Sequence, residues 1–150
     1  NYRIVRRTAH NRDADLASLI STLATEPDFD LSLKSQAFEF LCLNHTFISY
    51  IAALGAHREQ LHDQATLALL KQALADIRGA LLYDEMPELS LHNMQQTLRE
   101  RQNASDAEST QVLIILQQLS LMFSILKQLS TLKQSLSHDR DEQATELASL

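Results

Sequence analysis

Six histidines (His10, His45, His57, His62, His92 and His138) are the most versatile side chains in this sequence. An imidazole can bind a metal, move a proton or accept a phosphoryl group. On a helix, a metal pair needs ligands on one face, most simply at i and i+4. No histidine pair here has that separation. His57 and His62 are five apart and, even with Glu59 and Asp63 beside them, make only a weak site. Helical phosphotransfer modules place Lys and Gly shortly after the reactive histidine. His10 is followed by Asn-Arg-Asp-Ala and His57 by Arg-Glu-Gln-Leu, so neither fits. Cys42 is the sole cysteine, which excludes an internal disulfide. Its apolar surroundings predict a small buried hydrophobe. There is no glycine-rich phosphate loop and no nucleophile elbow. The residues therefore predict no catalytic site, no metal site and no cofactor.

The polar residues that stand out sit on apolar patterns. His10, Arg12, Asp13 and Asp15 fall within about one and a half turns of helix. His10 can meet Asp13, and Arg12 can meet Asp15, at a spacing of three. Exposed pairs of this kind contribute about 0.3–0.5 kcal/mol each. Arg12 is also in register with Leu16, which places a guanidinium on the inner side and calls for an acid from another helix or a binding partner. Asn44 falls inside an apolar stripe, where a buried amide must be hydrogen-bonded. Its expected role is to fix helix register, and His45 and Tyr50, beside the stripe, are placed to bridge neighbouring helices.

The elements that would position these groups are helical. Two glycines and two prolines in 150 residues cannot supply the turns of a sheet protein. Leu16, Leu19, Ile20 and Leu23 give a helical stripe that ends before Pro27. A second helix runs from Asp30 or Ser32, as N-cap, to about Arg58. Its broad apolar face (Leu33, Ala37, Phe40, Leu41, Asn44, Phe47, Ile48, Ile51, Leu54) marks it as the central helix. A third helix, Asp63 to Leu82, presents Leu67, Leu70, Leu74, Ile77 and Leu81. After a turn at Pro87 comes a shorter helix, capped by Ser90 and ending near Gln102. A last helix, capped by Ser105 or Asp106, reaches about Ser137. The fold class is thus all-α: an antiparallel bundle of about four long helices plus one shorter helix. Residues 1–137 form one domain, and 138–150 form a polar tail that frays.

Hydrophobic residues make up 45% of the chain, enough for a core, and the formal net charge is −6. An acidic chain argues against nucleic acid as a partner. Arg3, Arg6, Arg7 and Arg12 nevertheless crowd the first dozen residues. The stretch from Ser109 to Leu126 is uncharged, but Gln111, Gln117, Gln118, Ser120 and Ser124 mark it as a core helix rather than a membrane span. No secretory signal pattern is visible at the start.

Two strings carry a resemblance. Arg6 to Ser18 (RRTAHNRDADLAS) and Phe40 to Arg58 (FLCLNHTFISYIAALGAHR) resemble the C-terminal cytoplasmic region of the YccS/YhfK family. These are bacterial inner-membrane proteins in the fusaric-acid-resistance and aromatic-acid-exporter group. The resemblance implies a soluble accessory domain at the cytoplasmic face of the inner membrane, joined to a membrane-embedded efflux transporter. It would provide packing, oligomer or gating contacts and no chemistry. Its partners would be the rest of the parent protein, a second copy, and anionic lipid headgroups near Arg3, Arg6 and Arg7. Residues alone leave open a free-standing helical adaptor that binds a protein partner. If Arg12 and Asn44 both lie on inner faces, Arg12→Ala and Asn44→Ala should each melt below a surface variant.

Overall fold

In the computed structural model, the described residues are 2–27, 30–57, 64–83, 88–101 and 107–148. They form five helices in the order α1 (Tyr2–Ala24), α2 (Leu31–His57), α3 (Gln64–Tyr83), α4 (Glu88–Arg101) and α5 (Ala107–Ala148). No strand occurs among the described residues. The fold is all-α, with four long helices and one shorter one, as the composition requires.

The boundary between α1 and α2 follows the local chemistry. The last turn of α1 tightens into i→i−3 bonds, Thr25 N to Thr22 O and Glu26 N to Leu23 O, both 3.1 Å. Pro27 then follows. Asp30 caps α2: its Oδ1 accepts from Ser32 N at 2.9 Å, and its carbonyl accepts from Lys34 N at 2.9 Å. Lys34 Nζ reaches back to the Glu26 carbonyl at 3.4 Å and ties the link to the helix it introduces. The caps expected at Ser105 or Asp106 lie outside the described residues. Ser90 lies inside α4, which starts at Glu88. At the other end, α5 runs past Ser137 to Ala148. The sequence there has no glycine or proline to stop it.

The chain divides into two compact units, Asn1–Ile48 with Gln128–Leu150, and Ser49–Lys127. In the first, Ile20, Phe47 and Leu132 are buried. In the second, α3 packs against α4, and the buried residues are Thr66, Ala73, Ile77, Ala80, Met94 and a long run on α5. That run is Val112, Ile115, Leu116, Leu119, Met122, Phe123, Ile125 and Leu126. Its spacings of three and four make one continuous face.

Two packing expectations are corrected here. The most buried helix is α5, not α2. Along the expected α2 stripe only Phe47 is buried, Ile51 is exposed, and the other members are half-buried. The apolar residues of α2 are spread around its circumference, so covering one side leaves others outside. On α3, the inner face is Thr66, Ala73, Ile77 and Ala80, while Leu74 and Leu81 are exposed. Small side chains allow two helix axes to approach closely, and interaxial distance depends on the residues at the contact. Of the expected stripe, Ile77 is buried, Leu67 and Leu70 are half-buried, and only Leu74 and Leu81 are left outside. The stretches 31–56 of α2 and 110–137 of α5 are also long and apolar enough to cross a membrane, by length and composition.

Leu119, with no exposed surface, and Leu74, 45% exposed, separate the two faces. Leu119→Ala should lower unfolding free energy by about 2–5 kcal/mol, and Leu74→Ala by much less. Denaturant titration with a constant slope checks this. The reverse order would mean that α3 packs through its leucines.

Candidate functional site at the junction of α1 and α2

Asp13 is the buried acid of the described chain, at 7% exposure, in the middle of α1. Its neighbours along the helix explain its position. Asp13, Leu16, Ile20 and Leu23 follow spacings of three, four and three, so Asp13 is one residue of the stripe that α1 turns inward. On α2, Asn44 stands three residues from both Leu41 and Phe47, on the matching inner stripe. The helices meet there. Asn44 Nδ2 donates to Asp13 Oδ1 at 2.8 Å, and His45 Nδ1 lies 2.6 Å from Asp13 Oδ2. A contact between the middles of consecutive helices across a short link is the signature of an antiparallel hairpin.

Each carboxyl oxygen thus has its own partner from α2. This matters because a buried polar group without a partner costs about 1–3 kcal/mol, and more if charged. His45 is the outward end of the cluster, with 63% of its side chain exposed. Binding through Nδ1 fixes the ring's orientation against the carboxyl. Among the described residues, no group of three His, Cys, Asp or Glu side chains gathers to hold a metal ion.

The other residues singled out from the sequence fall elsewhere. Arg12 is on the surface, with its side chain 82% exposed, and it meets Asp15 at 3.9 Å. Its expected inward register is corrected: the inner position belongs to Asp13, one residue on. His10 is half-buried, and the described bonds of Asp13 go to α2 rather than to His10. Arg3, Arg6 and Arg7 are exposed. Cys42 is exposed as well, correcting its reading as a buried hydrophobe. It lies three residues before His45, on the outward side of α2. His45, expected beside the α2 stripe as a bridge to a neighbouring helix, is that bridge, although the sequence did not place it in one cluster with Asp13 and Asn44. The available signal was a pair of polar residues, Asp13 and Asn44, each interrupting the stripe of a neighbouring helix. In the second unit, a shallow apolar cleft between α3 and α4 is lined by Leu69, Gln72, Ala73, Asn93 and Met94.

A helical fold tied by a side-chain cluster, with two apolar helices of membrane-spanning length, fits an inner-membrane protein. The similarity is specific. Inner membrane protein YccS of Escherichia coli (strain K12) is 40% identical over 138 residues, covering 91% of this chain. An uncharacterized protein of Haemophilus influenzae is 28% identical over 138 residues, covering 85%. The chain belongs to the YccS family. It spans 19% of the length of each of these two relatives. No family model and no solved structure matches it. The expected placement as a soluble fragment at the cytoplasmic face is overturned by this similarity to an inner-membrane protein, together with the apolar lengths of α2 and α5.

The cluster can be dissected by a double-mutant cycle. Asp13→Ala should cost about 1–3 kcal/mol, because it strips Asn44 of its acceptor. Asn44→Ala should cost about as much, and the two should couple by at least about 0.5 kcal/mol. Arg12→Ala should melt like the wild type. Additive effects at Asp13 and Asn44 in chemical denaturation would break the proposed link.

Proposed function

We propose that this chain is the helical packing region of an inner-membrane efflux transporter, contributing subunit or gating contacts rather than chemistry. The observation that carries the reading is its 40% identity to inner membrane protein YccS over 91% of its length. Exposed apolar side chains support it. Leu31, Phe38 and Ile51 on α2, and Leu74, Leu81, Leu82 and Tyr83 on α3, are uncovered within the chain. Large exposed apolar side chains favour contact with lipid, with other parts of a protein or with another copy. The Asp13–Asn44–His45 cluster serves the same role by holding α1 and α2 in one register.

The contact role separates from the stability of the chain itself. Leu31→Ser, Phe38→Ser and Leu81→Ser replace exposed side chains, so each should leave the chain's own melting nearly unchanged. In the membrane protein that carries the chain, the triple variant should reduce recovery of the intact assembly from membranes several-fold on a native gel. Undiminished recovery would refute the contact role.

A further inference from the structure

We propose that the first turns of α1 form a contact surface for the anionic headgroups of a phospholipid bilayer. Arg3, Arg6 and Arg7 are all exposed. On a helix, Arg3 and Arg7 share a face at a spacing of four, and Arg6 lies beside them at a spacing of three from Arg3. His10, three residues beyond Arg7, continues the same face and is half-buried. Among the described residues, none of the three arginines has a carboxylate partner, whereas Arg12 pairs with Asp15. Positive charge concentrated here is notable in a chain of net charge −6.

A second feature selects a bilayer over a soluble anion. Ile4 borders the basic face beside Arg7 and is 68% exposed, and Val5, a further step around the helix, is 61% exposed. A free phosphate gives such side chains nothing. An interface offers both layers at once, with headgroup phosphates for guanidinium forks and the acyl boundary for aliphatic carbons. Arginine suits the first role, because its planar fork binds phosphate oxygens in pairs. A basic residue near an anionic membrane surface strengthens binding by about fivefold, so three acting together give on the order of a hundredfold.

The test measures melting of the whole chain in non-ionic detergent micelles doped with phosphatidylglycerol or with phosphatidylcholine. A ligand that binds the folded state raises the melting temperature, by an amount that grows with the logarithm of its concentration above Kd. Phosphatidylglycerol should raise it and phosphatidylcholine should not, with the difference shrinking at high salt. Arg3→Gln, Arg6→Gln and Arg7→Gln together should require at least tenfold more phosphatidylglycerol for the same rise. The corresponding triple lysine variant, which keeps the charge, should retain most of the response and guards against a variant that fails to fold. An equal response to both lipids would overturn the proposal. So would an undiminished response in the glutamine variant, or the same rise with inorganic phosphate alone. Because the readout is the chain's own response to lipid, its failure leaves the contact role of the exposed α2 and α3 side chains standing.

Discussion

Taking a carboxyl group out of water costs several kcal/mol unless hydrogen bonds replace its hydration. In the α1–α2 hairpin this constraint falls on Asp13, and it determines much of what surrounds it. Both oxygens are satisfied from α2, one by Asn44 and one by His45. Sliding α2 by one turn would leave the acid and the amide unpaired at once. Apolar contacts tolerate such slippage far better, because one leucine replaces another at little cost. The polar pair thus specifies a register that Ile20 and Phe47 then bury.

The second unit solves a different problem. Leu119 and Met122 have no exposed surface, and their neighbours Ile115, Leu116 and Phe123 have almost none. Alanines at positions 73 and 80 line the buried face of α3 and keep that face flat. Around the rest of the helix, Leu74, Leu81, Leu82 and Tyr83 remain uncovered. On α2, too, apolar side chains exceed what the chain covers. A water-exposed protein gains little from such surfaces, and the proposed contact role would place lipid or further protein against them.

Three kinds of information were legible to different degrees. Helix identity was the clearest, since two glycines, two prolines and repeated stripes admit little else. The turn at Pro27 and the cap at Asp30 were also readable, because both depend on chemistry within a few residues. Facing was harder. Arg12 and Asp13 differ by one position, about 100° around a helix. The stripe could be continued back from Leu16 through either residue, by a step of four or of three. The same ambiguity hid the alanine face of α3 behind its more conspicuous leucines.

The sequence by itself determined that the chain is helical, roughly where the first four helices begin and end, and, through its resemblance, the family to which it belongs, but not that α5 continues past Ser137 to Ala148. These follow from local preferences and from strings of residues that need no partner to be read. Tertiary structure decided which side of each helix is inside, that α5 rather than α2 carries most of the core, and that His45 joins Asn44 at Asp13. The physical reason is that burial and hydrogen bonding belong to pairs of elements. A stripe shows that a helix has something to cover, but only the neighbouring helix settles which residues are covered.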